Sequence, residues 1–232
     1  MSRVAQNRST PRRKRILLVD DHPLMREGVA RWIQGAPGLE FCGEADSASA
    51  AIALIEKLKP DLVITDISLP GRSGIELIKD LLARKPSLPV LVLSMHDESL
   101  YAARALRAGA RGYVMKSAGG TRVVAAIGEV LKGQIAVNQQ IATNLLEQYS
   151  KRRPSTSRSP LPHLTDREFE IFQLLGEART NREIAHQLNL SPKTVETHRM
   201  NLLRKLDLKT SAQLLRFAIQ YVEQEATGRW EG

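Results

Sequence analysis

Five polar residues each close an apolar run. Asp20 and Asp21 follow RILLV, Asp66 ends DLVITD (61–66), Ser94 ends PVLVLS (89–94) and Lys116 ends GYVMK (112–116). If the runs are parallel strands, all five side chains meet at one edge of a sheet, where open parallel sheets form their sites. Three carboxylates brought together repel one another unless a cation intervenes, and oxygen donors of this kind suit Mg2+. With that charge neutralised, Asp66 could attack phosphorus in line and form an acyl phosphate. Lys116 would hold a fixed positive charge against the phosphoryl oxygens, and the Ser94 hydroxyl could follow them. Singly, each residue has a plainer reading: an acid at a strand end caps a helix or lies in a loop, and a lone lysine sits on the surface. The joint arrangement of five suitable residue types at strand ends favours the chemical reading.

The elements that must position these residues alternate. A fifth run, FCGEA (41–45), joins the four above, and amphipathic stretches lie near 23–34, 47–58, 74–84, 97–108 and 119–132. Short runs rich in Val, Ile and Leu are those of strands buried on both faces. Strands alternating with helices predict an α/β, doubly wound, parallel five-stranded sheet over residues 15–132. Residues 138–149 predict one more helix. SKRRPSTSRSPLPH (150–163) has no periodicity and reads as a linker, so residues 133–163 separate two domains.

From 164 to 224 the sequence predicts a small all-α domain. Thr165 to Glu168 and Thr180 to Glu183 are capping boxes. Phe169, Phe172 and Leu175 give the first helix an apolar face; Ile184, Ala185 and Leu188 do so for the second. Asn189-Leu190-Ser191 reads as a tight turn and Pro192 as the first residue of a third helix, which runs to about Leu206 with Val195, Leu202, Leu203 and Leu206 inward. A fourth helix spans 211–222, where Leu214, Leu215 and Ala218 are expected to form a dimer contact. A short helix, a tight turn and a longer helix form a helix-turn-helix, the long helix presenting Lys193, Thr194, Glu196, Thr197 and Met200 to a DNA major groove. A helical bundle that binds protein is the alternative on pattern alone.

Bulk properties fit this division. The net charge of +9 resides in residues 1–15 and 150–160, which carry ten positive charges and no acid; the remainder nets −1 (9 − 10). These basic segments add sequence-independent attraction to phosphates or serve only solubility. The single cysteine, Cys42, excludes an intrachain disulfide and a cysteine-rich metal site and suits a reducing cytoplasm. No apolar run approaches membrane-spanning length, and the basic N-terminus lacks the apolar core of a signal peptide.

VDDHP (19–23), DISLPGRSG (66–74), LS (93–94) and GARGYVMK (109–116) together resemble the response-regulator receiver domain, a flavodoxin-like fold. The resemblance implies Asp66 as phosphoacceptor, Mg2+ held by Asp21, Asp66 and the Ser68 carbonyl with Asp20 nearby through water, and Ser94 and Tyr113 as a switch pair alongside Lys116. In that family the hydroxyl moves toward the phosphate and the aromatic ring turns inward. Pro70 and Gly74 would shape the loop. LTDREFEIF and NREIAHQLNLSPKTVETHRMNLLRKL resemble the LuxR-type helix-turn-helix, with the motif at Asn181 to Met200; joined to a receiver this resembles the NarL/FixJ type of two-component response regulator. It implies phosphate contacts from Thr194, His198, Arg204 and Lys205 and base readout by Glu196, Thr197 and Met200, with Arg199 on the same basic helix. Ala178 departs from the family, which often has glycine there. The implied partners are a sensor histidine kinase, double-stranded promoter DNA and a second copy of the chain when phosphorylated or DNA-bound; contact with RNA polymerase is compatible with this, and no membrane is involved. Self-phosphorylation is not turnover of a released product, so no enzyme activity is expected. A phosphatase passing through an aspartyl phosphate would need a substrate-covering cap, and no insertion for one lies between Asp66 and Asp80. A constitutive DNA-binding protein with a phosphate-independent receiver is the other competitor; the complete set of five residues argues against it.

Overall fold

The computed structural model describes residues 12–96, 98–143 and 164–227. Five parallel strands, β1 (Lys14–Val19), β2 (Leu39–Ala45), β3 (Leu62–Thr65), β4 (Val90–Ser94) and β5 (Gly112–Met115), form one sheet in the order β2-β1-β3-β4-β5. Helices α1 (Pro23–Gln34), α2 (Ala48–Leu58), α3 (Gly74–Arg84), α4 (Glu98–Arg107) and α5 (Gly119–Leu131) alternate with them. The expected doubly wound sheet is therefore present.

The strand sequences explain the two-sided packing. Side chains alternate across a strand, so Ile16 and Leu18 point to one face and Leu17 and Val19 to the other. The first face gathers Ile64, Leu91, Leu93 and Val114 under Val29 and Ile33 of α1 and Val123 and Ile127 of α5. The second gathers Val63 and Val92 under α2, α3 and α4, with Ile55, Ile78, Leu81 and Ala102 fully or nearly fully buried. Truncating one such Ile or Leu to Ala costs about 2–5 kcal/mol.

Ala136, in the segment expected to be an extra helix and linker, is buried and bridges to Gly112, and Tyr113 N donates to its carbonyl. Helical structure is present from 139 to 143. The rest of the expected 138–149 helix and the linker at 150–163 lie outside the described residues.

The C-terminal domain comprises α6 (Asp166–Gly176), α7 (Asn181–Gln187), α8 (Pro192–Lys205) and α9 (Ser211–Thr227). Both capping boxes form: Thr165 with Glu168, and Thr180 with Glu183. Ser191 caps α8 and Pro192 is its first residue. Asn189 takes a left-handed conformation in the turn between α7 and α8 (φ 51°), which asparagine tolerates. Phe169, Phe172, Leu175, Ile184, Val195, Leu202 and Leu206 form the core.

One expectation on α9 is corrected. Leu214 and Ala218 are fully buried within the domain, where α9 packs on α6, so they cannot form a dimer contact; of the three named residues only Leu215 is exposed.

Candidate functional site: a carboxylate pocket beneath the output domain

Strand register brings the distant acids together. Val19 pairs with Thr65, so Asp20 and Asp66 leave the sheet side by side, and Asp66 N donates to the Val19 carbonyl at 2.8 Å. Ser94 pairs with Met115, which puts Lys116 one step further along the same edge. Lys116 Nζ lies 2.6 Å from Asp20 Oδ2 and 2.7 Å from Asp66 Oδ2, and all three residues are buried. The structure thus ties Asp20 directly to Lys116. Burial pushes the Asp66 carboxyl above its usual range, against the pull of Lys116. Burial works to lower Lys116, but Asp66 and Asp20 outweigh it and hold the ammonium above its ordinary value. Removing one member of such a buried set leaves an uncompensated charge.

Asp21 lies at the rim, its Oδ1 2.7 Å from His22 Nδ1, while His22 N donates to Asp20 Oδ1 at 2.9 Å. Donor atoms of Asp20, Asp21, His22 and Asp66 all fall within 4.8 Å of one another. Three carboxylates are hard oxygen donors that fit a cation such as Mg2+. His22 belongs to the VDDHP run, which by itself assigns it no role; only three-dimensional proximity brings it into the site.

The loop after Asp66 is shaped by a close approach. A Cβ on Gly74 would stand 1.8 Å from the Asp66 carbonyl oxygen, and Gly74 N donates to Ile67 O at 2.7 Å. Ser73 then caps α3 through Ile75 N.

Ser94 is fully buried, and its Oγ accepts from His96 N at 3.3 Å. Tyr113 is buried with its ring inward, and its hydroxyl donates to the His96 carbonyl at 2.9 Å. His96 is not among the residues expected from sequence. Its Nε2 lies 2.6 Å from Ser68 Oγ, its ring stacks on Tyr101 with centroids 4.6 Å apart, and burial lowers its pKa. No spacing or periodicity marks a histidine in a loop, so sequence offers no signal for it.

The helical domain sits against this edge. Tyr101 of α4 meets Phe169 of α6 edge-on at 5.5 Å, and the Arg104 guanidinium lies 3.8 Å from the Phe169 ring centre. Asp166 accepts from Lys79 at 2.7 Å and Arg104 at 3.4 Å. A cavity of about 780 Å³ remains between the domains. Asp21, Asp66, Ser68, Ser94, His96 and Lys116 line it from the sheet side, and Arg179, Arg182, Glu183, His186 and Gln187 from α7 and the turn before it.

The residues expected on DNA divide. Lys193, Glu196, Thr197, Met200 and Arg204 are exposed, Met200 to 60%. Thr194 is half-buried and close to its cap, Ser191 Oγ. Arg199 donates to Asn181 Oδ1 at 2.5 Å, and Asn181 Nδ2 donates to Glu196 Oε2 at 2.7 Å. His198 is half-buried, its pKa lowered by burial against the attraction of Glu168 and of Glu76 from α3. Lys205 donates to Glu168 Oε2 at 2.6 Å, which turns it toward α6.

Comparisons with known proteins agree with this division. The family model for the response regulator receiver domain matches residues 16–128, and that for bacterial regulatory proteins of the luxR family matches residues 162–218. The response regulator GacA of Pseudomonas aeruginosa is 35% identical over 207 residues, spanning 89% of this chain and 96% of that protein. The transcriptional regulatory protein DegU of Brevibacillus brevis is 34% identical, over 85% of this chain and 89% of its own length. Among solved structures, the RcsB response regulator of Salmonella typhimurium superposes with a TM-score of 0.63 at 28% identity, covering 91% of this chain and 98% of that one. RcsB of Salmonella enterica serovar Typhimurium bound to promoter rprA with the phosphomimetic BeF3- gives a TM-score of 0.59 at 27% identity, covering 89% and 98%. With a receiver sheet, a LuxR-type helix-turn-helix and full-length relatives of the same plan, the chain belongs to the two-component response regulators that regulate transcription.

Proposed function

We propose that Asp66 is the residue that takes the phosphoryl group from a sensor histidine kinase, and that the modified chain binds promoter DNA as a dimer. The observation that carries this is Lys116 held between Asp20 and Asp66 on one buried sheet edge. Asp66 presents its carboxylate to phosphorus, an Asp66 O–P bond forms, and the donor leaves with its electron pair. Lys116 keeps a positive charge where the phosphoryl oxygens arrive, in a site shielded from bulk water. Asp20, Asp21 and Asp66, with the Ser68 carbonyl, would hold Mg2+, which supplies charge neutralisation for the incoming phosphoryl group. Ser94 lines the same cavity and would donate to a phosphoryl oxygen, releasing its contact with His96 N; Tyr113 reports that change through its bond to the His96 carbonyl. Chemistry stops at the modified aspartate, with no separate product turned over.

The output reading rests on the exposed face of α8. Lys193, Glu196, Thr197 and Met200 face solvent together and would read base edges, while Thr194, His198 and Arg204 would contact phosphates. One module makes a small interface, so a second copy on an adjacent half-site completes tight binding. The receiver domain is assigned to 15–132 and the DNA-binding domain to 164–224, acting in the cytoplasm.

The test is phosphoryl uptake from a small acyl phosphate with Mg2+, read by intact-protein mass. Wild-type protein gains one phosphoryl group, and Asp66→Asn gains none. Uptake by Asp66→Asn at the wild-type rate would refute the assignment.

A further inference from the structure

One side chain near the start of α1 reaches back to the acid pair. Arg26 is the fourth residue of α1, and its Nη1 donates to the Asp20 carbonyl oxygen at 2.8 Å. Its Nε donates to Glu44 Oε1 at 3.1 Å. A cation near a helix N-terminus is electrostatically unfavourable, so helix stability does not explain an arginine here. Nor does the ion pair by itself: the Glu44 side chain is 45% exposed, and exposed pairs contribute little. What distinguishes Arg26 is the atom it holds.

The other polar atoms of Asp20 are already engaged. Its N donates to the Ala45 carbonyl at 3.0 Å, its Oδ1 accepts from His22 N, and its Oδ2 meets Lys116. β1 ends at Val19 and β2 at Ala45, so the Asp20 carbonyl lies past the end of the ladder, and Arg26 supplies its donor. That carbonyl shares one peptide unit with Asp21 N. The unit is planar, so fixing the oxygen fixes the plane from which Asp21 departs. The Asp21 carboxylate itself stands at the rim, against the exposed imidazole of His22. Glu44 has a separate effect. A bare guanidinium beside three gathered carboxylates repels any cation drawn there; paired with Glu44, the clamp has no formal charge (1 − 1).

We propose that Arg26 is a positioning residue for the divalent cation: it fixes the Asp20–Asp21 peptide so that the carboxylates on either side of it are aimed at one ion, and Glu44 cancels its charge so that the clamp does not repel that ion. This rests on the functional reading above, which gives the cation to Asp20, Asp21 and Asp66, and adds the group that aims them. Arg26 touches neither the ion nor the phosphoryl group. Its effect is therefore on how tightly the cation is held, and the attack of Asp66 on phosphorus proceeds normally once the cation is bound.

The experiment uses the full chain and two readouts. Mn2+, a divalent cation suited to the same oxygen donors, is titrated and its free fraction read by electron paramagnetic resonance. Phosphoryl uptake from a small acyl phosphate is then followed against Mg2+ concentration. The double variant Arg26→Met/Glu44→Gln removes the clamp and leaves the formal charge of the pair unchanged, so any effect is one of geometry. It is expected to bind Mn2+ about tenfold or more weakly, as loss of a group that orients metal ligands does. Its half-saturating Mg2+ concentration rises by the same factor, while uptake at saturating Mg2+ stays within about twofold of wild type. Arg26→Lys, which keeps a donor for the Asp20 carbonyl, recovers most of the Mn2+ affinity. Wild-type Mn2+ affinity in the double variant overturns the inference. A deficit that saturating Mg2+ does not repair, or that Arg26→Lys shares in full, overturns it too, because the arginine then serves only the fold. If the double variant does not fold, Arg26→Lys and Glu44→Gln decide: the first must keep Mn2+ affinity, and the second must lose affinity by an amount that shrinks as salt is raised. Wild-type protein that binds Mn2+ but takes up no phosphoryl group sinks the functional reading alone, and the Mn2+ titrations still judge Arg26.

Discussion

The guanidinium of Arg167 donates to the carbonyl oxygen of Gly71 at 2.9 Å, joining α6 of the output domain to the loop that follows Asp66. The same side chain holds Glu170, one turn further along α6, at 2.7 Å, so a buried ion pair of the output domain lies at its boundary with the input half. Glu170 lies among groups of both domains, and burial lifts its carboxyl to about 7 despite Arg167. A carboxyl raised in the folded state binds its proton more tightly there than in the unfolded chain. The packed arrangement therefore loses stability as pH rises from the ordinary glutamate value toward 7, by about 3 kcal/mol from this group when ionisation is complete. Glu170→Gln should remove that dependence. Thermal unfolding of the two proteins between pH 5 and 8 checks it: the difference in stability changes steadily across that window. Parallel pH profiles would refute the role of Glu170.

Arg104 is the second tie across the boundary. It touches Asp166, the Leu164 carbonyl and the face of Phe169, and burial lowers its pKa against the pull of Asp166. Arg104→Ala removes the hydrogen bonds to Asp166 and to the Leu164 carbonyl together with a cation–π contact, the last worth about 0.5–2 kcal/mol. The receiver core is untouched, so the variant should fold but separate its domains more often. The expected result in solution scattering is a larger radius of gyration than wild type at equal monomer mass. An unchanged radius would show that the other contacts across the boundary, Tyr101 with Phe169, Arg167 with Gly71 and Lys79 with Asp166, hold the docking without Arg104.

The receiver edge is legible in the sequence because strand ends in a parallel sheet coincide: once the apolar runs are read as strands, Asp20, Asp66 and Lys116 have nowhere else to go. Capping boxes are equally readable, since Thr165 with Glu168 and Thr180 with Glu183 act over three residues. Docking is not readable. Tyr101 and Arg104 come from a segment more than 60 residues away from Phe169 and Arg167, and each has an ordinary local explanation as a packing aromatic or surface arginine. The same applies to His96 beside Ser68. On α9, the helical period alone does not say which of Leu214, Leu215 and Ala218 faces inward; packing on α6 decides it.

Ala178, where the family often carries glycine, adopts a left-handed conformation with φ 59°. A side chain there costs about 1–2 kcal/mol, partly offset because alanine restricts the unfolded chain more than glycine does. Ala178→Gly should therefore raise stability by up to about 1 kcal/mol, read as a higher denaturation midpoint with unchanged slope. A lowered midpoint would mean that neighbouring contacts more than compensate the strain.

Two glycines give opposite outcomes for the same added methyl group. At Gly74 a Cβ would meet the Asp66 carbonyl oxygen at 1.8 Å, with backbone of Asp66 and Ile67 on the same side. Backbone cannot rotate away as a side chain can, so Gly74→Ala must displace the loop that carries Asp66, at a cost of about 1–3 kcal/mol or more. Phosphoryl uptake should fall further than stability alone accounts for, because Asp66 loses its register with Lys116. At Gly28, inside α1, nothing stands within 4 Å of the added Cβ. Gly28→Ala should stabilise the protein by about 0.5–1 kcal/mol through helix propensity and leave phosphoryl uptake unchanged. Measuring uptake and unfolding midpoint together separates the two effects. Equal uptake by both variants under conditions where both are folded would show that the Asp66 loop tolerates displacement, and that its close packing on Gly74 is not needed for the chemistry.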